Sequence, residues 1–214
     1  LDEVHAIAGT KRGDQLALCL ARLSKIAPDL RRVGLSATVA WPDDLRRYIS
    51  PCADADEVVT VTGMGAKRAD VRLLETAVRL PWSGHYGLHA IPEIYQEIKK
   101  TGTAIIFVNT RAQAELVFQE LWRANEDALP IALHHGSLAR DQRRKVEAAM
   151  ADGSLRAVVA TSSLDLGIDW AAVDLVVQVG PPKGVSRMIQ RIGRAGHRLD
   201  VPSRALLVPC NRFE

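Results

Sequence analysis

Apolar residues follow two different rhythms along this chain. In the first third, Leu16, Cys19, Leu20, Leu23 and Ile26 recur at helical spacing, so a helix is expected through about Ile26, capped by Asp14. A short strand is expected at Arg32 to Leu35. A helix follows, with Pro42 in its first turn and Asp43 and Asp44 at its positive end. Glu57 to Val61 reads as another strand. Residues 63–87 show no period and carry Gly63, Gly65, Pro81, Gly84 and Gly87, the composition of a linker.

From Leu88 the pattern becomes regular. A helix to Lys100 precedes a strand at Ala104 to Val108, and a helix spans Arg111 to Ala124. A strand at Ile131 to His134, a helix from Ala139 to Met150, and strands at Ala157 to Thr161 and Leu175 to Val179 come next. A helix from Val185 and a strand at Ala205 to Val208 complete the series. These strands are continuous apolar runs, as strands buried on both faces require. Strand and helix alternate, which gives an α/β fold with a parallel sheet wrapped by helices. In such a fold ligands sit at the carboxyl ends of the strands. Small and polar residues collect there: Asn109-Thr110-Arg111, His135-Gly136-Ser137, Thr161-Ser162-Ser163 and Gly180-Pro181.

Composition narrows the class without naming a function. Of 214 residues, 47% are hydrophobic and 25% charged, which excludes disorder over most of the length. The net charge of +3 is too mild to announce a nucleic-acid binder, so the distribution of charge has to decide. Cys19, Cys52 and Cys210 lie far apart, with no histidine at zinc spacing, and read as reduced, buried thiols. No uncharged apolar run reaches membrane-spanning length and no secretory signal opens the chain, so a cytoplasmic protein is expected. The chain opens at Leu1 without an initiator Met and stops at Glu214 just after an apolar run. It reads as a piece of a longer protein.

Four segments carry candidate chemistry. Asp2-Glu3-Val4-His5 places two adjacent carboxylates where one can hold Mg²⁺, directly or through water, while its neighbour orients or deprotonates an attacking water. A lone acidic pair is equally a solvated loop. Ser36-Ala37-Thr38 offers two hydroxyls able to tie that loop to a neighbouring element, or merely to cap a turn. Arg187, Arg191, Arg194 and Arg198 share one helical face, in a stretch from Lys183 to Arg204 with six basic residues and one acid, Asp200. Such a stripe repels itself unless an anion or a carboxylate lies opposite, so a phosphate-facing role is favoured over a plain basic surface. Thr161 to Asp169 offers hydroxyls and backbone N–H groups to a phosphate backbone, with Gly167 allowing close approach and Asp169 able to accept from a ribose hydroxyl. The plainer reading is a capped loop. His134 and His135 point opposite ways on a strand, one packed and one facing the rim, which argues against a two-histidine metal site. The four Trp are scattered and read as packing residues.

The order of these segments carries more than any one of them. D-E-V-H, S-A-T, I-F-V-N-T-R, H-H-G-S, A-T-S-S-L-D-L-G-I-D and Q-R-I-G-R-A-G-H-R resemble motifs II to VI of superfamily 2 helicases, over nearly the whole chain. Within that superfamily the chain looks most like the large helicase-related, or Lhr-type, DEXH group, which includes the DNA-ligase-associated helicases. The resemblance implies two RecA-like domains: residues 1–62 as the C-terminal part of the first, ATP-binding domain, 63–87 as a linker, and 88–214 as a nearly complete second domain.

It implies ATP and Mg²⁺ as cofactors, with Asp2 holding the metal and Glu3 activating water. His5, Ser36, Thr38, Gly167, Asp169 and Gln190 would couple the ATP site, and Arg191 and Arg194 would face the γ-phosphate. Asn109, Thr110, Arg111, His135, Gly136, Thr161 and Ser162 would contact single-stranded or partly duplex DNA, with RNA as an alternative strand. The implied activity is ATP-driven 3′-to-5′ movement on DNA, in repair, with no membrane partner. Gly196 is followed by His197 before Arg198, so the place of the last family arginine is open and Arg194 is the expected finger. No G-x-x-x-x-G-K-[ST] phosphate loop occurs in the chain, and the domains that follow motif VI in relatives are missing. The implied partners are therefore those segments of the same polypeptide. The rival reading is a non-catalytic nucleic-acid-binding fragment, and the 214 residues alone are expected to be inactive.

Overall fold

Continuous apolar runs come together as one parallel sheet. The computed structural model describes every residue except 37–41, 51–57, 64–68, 85, 166–172, 183 and 196–201. The described chain divides into two units, Leu1–Gly65 and Ala66–Glu214.

Among its described residues the second unit holds six strands: β1 (Asp70–Leu73), β2 (Ala104–Phe107), β3 (Ile131–His134), β4 (Ala157–Ala160), β5 (Leu175–Val179) and β6 (Arg204–Val208). Their order across the sheet is β1-β6-β5-β2-β4-β3, with every pair parallel. Helices α4 (Ile91–Lys99), α5 (Arg111–Arg123), α6 (Arg140–Ala151) and α7 (Val185–Ile192) lie between strands in sequence. Alternate residues of each strand serve opposite faces. Ala104, Ile106, Val159 and Val177 pack with Ile94 and Ile98 of α4 and Val117 and Leu121 of α5. Ile105, Phe107, Val158 and Val176 pack with Met150 of α6 and Ile192 of α7. Helices on both faces are why these strands read as unbroken apolar runs.

The first unit is built from α1 (Val4–Ile7), α2 (Lys11–Ile26) and α3 (Pro42–Ile49). Thr10, not Asp14, caps α2, because its hydroxyl accepts the Gly13 N–H at 3.1 Å. Gly13 is required there: a Cβ would stand 2.2 Å from the Ile7 carbonyl oxygen. Of the expected apolar stripe only Leu20 is buried, Leu16 is half-buried, and Cys19, Leu23 and Ile26 are exposed. Residues 32–35 are extended but short of a strand. Leu1 donates to the Val33 carbonyl at 2.7 Å, and Leu35 donates to the Leu1 carbonyl at 2.8 Å.

Other expectations need correction. Glu57 lies outside the described residues, and residues 58–61 form no strand, leaving Val59 and Val61 exposed. The expected linker contains β1, which pairs with β6 and belongs to the second unit. Its Asp70-Val-Arg-Leu73 sequence lacks an apolar run because it is a short edge strand, with Arg72 and Asp70 ion-paired at 2.8 Å on the exposed rim. Trp82 and Trp122 are exposed and not core residues; Trp41 and Trp170 lie outside the described residues. Cys210 is buried and Cys19 exposed, while Cys52 lies outside the description.

Candidate nucleic-acid and phosphate site

The sheet brings the second unit's predicted strand-contact residues to neighbouring strand tips. Asn109, Thr110 and Arg111 follow β2, Thr161 and Ser162 follow β4, and His135 and Gly136 follow β3. Since β2, β4 and β3 are adjacent in that order, three loops distant in sequence share one rim. Thr110 caps α5 by accepting the Gln113 N–H at 3.2 Å. Arg111 donates to the Ser137 hydroxyl, joining the loops after β2 and β3. Asn109 donates through Nδ2 to the Pro181 carbonyl at 2.8 Å, tying the loop after β2 to that after β5. The second loop turns at Gly180, whose φ of +73° disfavours any side chain and whose neighbours leave little space for one: a Cβ would lie 3.2 Å from Asn109 Nδ2. Cys210, beside the same turn, has its thiol pushed up to about 12 by burial and stays protonated. Gly136 is open, with nothing within 4 Å of a built Cβ.

Both histidines of the rim are buried, not one packed and one exposed. His134 contacts the Ser163 hydroxyl at 2.8 Å through Nδ1 and the Glu147 carboxylate at 3.0 Å through Nε2. Burial is the main force on it and holds its pKa below the ordinary value, against the pull of Glu147. It is therefore a neutral brace between α6 and the Thr161–Ser163 turn. His135 accepts the Ser137 N–H at 3.3 Å and lies 3.4 Å from Glu115. Its ring is thereby fixed behind the rim.

The arginine segment is not a continuous helical stripe. Helix α7 ends at Ile192 with Gly193 as its cap, so Arg187 and Arg191 lie on the helix and Arg194 in the turn beyond. Arg198, with His197, lies outside the described residues, as do Thr38, Gly167 and Asp169. The carboxylate that must oppose the stripe is Asp165. Arg191 donates to it through Nε at 2.8 Å and Nη2 at 3.4 Å, and through Nη1 to Gln178 at 2.7 Å. Its guanidinium also stacks 4.6 Å over the Phe107 ring. Arg191 is 2% exposed, so its charge is held inside the wall. Arg194 is only half-buried and donates through Nη2 to the Asp165 main-chain carbonyl at 2.7 Å. Gln190 is half-buried. Charge repulsion along the stripe is the signal that a partner carboxylate exists; only the fold shows that it is Asp165 and that Gln178 joins the network, while Ser137 and Ser163 partner Arg111 and His134 elsewhere on the rim.

In the first unit, the His5 ring contacts the Ser36 hydroxyl at 2.7 Å through Nδ1, and its Nε2 lies 3.4 Å from Glu3 Oε2. Glu3 donates its N–H to Asp2 Oδ1 at 2.9 Å, and its backbone takes the left-handed conformation at φ 49°. Glu3 Oε2 is buried without a hydrogen-bond partner, whereas the Asp2 side chain is exposed. An exposed carboxylate beside a half-buried one suits a hard cation held by few protein oxygens. Among the described residues no group of three potential metal ligands occurs, and no helix is long and apolar enough to cross a membrane.

Comparison with known proteins places the chain in a family. The helicase conserved C-terminal domain matches residues 87–198. ATP-dependent helicase Lhr-Core protein 2 of Thermococcus barophilus is 39% identical, over 99% of this chain and 25% of its own length. The Lhr helicase/probable uracil glycosylase of Mycolicibacterium smegmatis is 36% identical, over 100% of this chain and 16% of its own. The chain thus spans a quarter or less of these relatives. The solved structure of Mycobacterium smegmatis helicase Lhr bound to ssDNA and AMP-PNP aligns with a TM-score of 0.84 at 38% identity, covering 99% of this chain and 28% of that one. S. cerevisiae Dbp5 bound to RNA and ADP BeF3 shares the fold, with a TM-score of 0.72 at 22% identity over 98% of this chain and 52% of its own. Motif order and these likenesses agree, and the chain belongs to the Lhr-type superfamily 2 helicases, whose conserved C-terminal domain it carries.

Proposed function

We propose that this chain is the motif II to motif VI portion of an ATP-dependent DNA helicase or translocase that acts in the cytoplasm, in DNA repair. Residues 1–62 are read as the end of the ATP-binding domain and the second unit as the RecA-like partner domain. The observation that carries the reading is the bond from Arg194 to the Asp165 carbonyl. It fastens a candidate phosphate-facing arginine to the loop that holds Thr161 and Ser162, so strand contact and phosphate contact share one short segment.

Each candidate residue has a definite task in this reading. Glu3, oriented by His5 and Ser36, takes the proton of the water that attacks the γ-phosphorus as the bond to ADP breaks. Arg194 stabilises the charge spread over the transferring phosphoryl group. Asp2 would hold Mg²⁺, directly or through water, and the metal would neutralise phosphate charge. Arg191 sits behind Arg194 and fixes the wall. Thr38, Gly167, Asp169 and Gln190 are assigned to coupling on the motif resemblance. Arg111, Asn109, Thr110, Gly136 and Ser162 form the track for the sugar-phosphate backbone, which carries no sequence information, while the buried His135 and Thr161 support it from behind. DNA is preferred to RNA because the similar Lhr structure holds ssDNA.

The test is ATP hydrolysis with and without single-stranded DNA, in a longer protein that includes the upstream phosphate loop. Strand-stimulated turnover is expected, and Glu3→Gln or Arg194→Ala should each lower it about 10²-fold or more. Stimulation by RNA alone moves the assignment to an RNA-directed helicase. Absence of turnover with salt-sensitive strand binding moves it to a binding module.

A further inference from the structure

Three guanidinium groups converge on one residue. Arg191 reaches the Asp165 carboxylate through two donors, Arg187 lies 3.4 Å from Asp165 Oδ2, and Arg194 bonds the Asp165 main-chain carbonyl. Asp165 is 5% exposed, so the carboxylate is not placed to meet solvent or a ligand. We propose that Asp165 is the positioning residue of the arginine segment, setting where Arg194 presents its charge. The inference rests on the reading above, in which Arg194 faces a phosphoryl group.

The argument begins with the cost of burying Arg191. A guanidinium with so little exposure needs a counter-charge and filled donors, or it is expelled from the wall. Three of its five N–H donors end on Asp165 and Gln178, and its face lies on Phe107. The bidentate pair fixes a plane as well as a distance. That plane fixes the end of α7, and Arg194 follows two residues after the helix stops. Arg194 spends a donor on the same residue, so both ends of the turn are referred to Asp165.

A second consequence comes from the loop itself. Asp165 stands four positions after Thr161, and Ser163 between them is held by His134 on the opposite side. A strand that moves Thr161 and Ser162 therefore moves the anchor of the arginines. Three cations on one residue that carries a single negative charge, two at its carboxylate and one at its main-chain carbonyl, also leave an excess of positive charge, and the half-buried Arg187 and Arg194 are its accessible members.

Asp165→Asn removes the charge and keeps the shape. In the longer, phosphate-loop-containing protein it should lower the kcat of strand-stimulated hydrolysis about 10²-fold, while KM for ATP and the strand Kd move less than about threefold. Asp165→Glu, which keeps the carboxylate, should recover part of that loss. Combined with Arg194→Lys, Asp165→Asn should add nothing to the single Arg194→Lys loss, since both act through one group. An unchanged kcat in Asp165→Asn, or losses that multiply in the double variant, would overturn the proposal.

Exchange of the Arg191 Nε–H in the 214-residue chain supplies a readout independent of turnover. It should be slow in the wild type and fast in Asp165→Asn, and equal protection in both overturns the proposal. A longer wild-type protein without ATP turnover sinks the helicase reading instead, and the exchange measurement then decides the positioning role alone. Should Asp165→Asn fail to fold, Asp165→Glu decides on the same two readouts: full wild-type kcat and Arg191 protection with a displaced carboxylate would refute the positioning role.

Discussion

The two units bury their apolar residues to very different degrees. In Ala66–Glu214, Ile94, Ile98, Ile105, Ile106, Val158 and Val177 are wholly inaccessible, and helices cover both faces of the sheet. In Leu1–Gly65, the buried apolar side chains among the described residues are Val4 and Leu20, while Leu18, Leu23, Ile26, Leu30, Val33 and Leu35 are exposed. The difference teaches where stability and precision reside. A closed, two-faced core can hold an arginine flat against a phenylalanine. The first unit holds its carboxylate loop with a few hydrogen bonds from His5, Ser36 and the backbone of Val33 and Leu35.

Separating the units gives the largest expected effect. Residues 66–214 alone should unfold in urea in one cooperative transition, whereas residues 1–65 alone should show none, since burying so little apolar surface does not offset chain entropy. A cooperative transition in residues 1–65 would break the comparison. Next in size come paired truncations. Ile106→Ala, in the sheet centre, should cost about 2–5 kcal/mol by chemical denaturation. Ile26→Ala, on the exposed stripe of α2, should change stability by less than about 0.5 kcal/mol.

The smallest effect concerns pH. Burial lowers the pKa of His134 in the folded state, so the unfolded chain binds the extra proton more readily. Its contribution is present above the ordinary histidine value of 6.5 and is lost as pH falls below it. Melting temperatures from pH 7.5 to 5.5 should therefore drop further for the wild type than for His134→Gln. Equal slopes would place His134 outside the pH response.

Much of the second unit is legible in the sequence because its strands are buried on both sides and announce themselves as apolar runs. Elements at the margins are not. The edge strand β1 looks like a linker because half of Asp70-Val-Arg-Leu73 is charged. The sequence points to Asp14 as the α2 cap, but Thr10 caps it, because a cap depends on where the chain turns and the turn is set by the close approach of the Ile7 carbonyl to Gly13. The predicted rim residues Asn109, Thr110, Arg111, His135, Gly136, Thr161 and Ser162 do lie on one edge, since strand ends are fixed by the strands themselves.

By itself, the sequence determined the alternation of strand and helix, the small and polar residues at the strand ends, and the motif order that marks the family. These depend on residue type and spacing, which are local quantities. Tertiary structure alone decided which arginine is buried and which is presented. Arg191 and Arg194 are chemically identical and three residues apart, and nothing local distinguishes them. Their roles diverge because a helix stops at Gly193 and because Asp165, brought in from the loop after β4, sits under one guanidinium and offers the other only its backbone carbonyl.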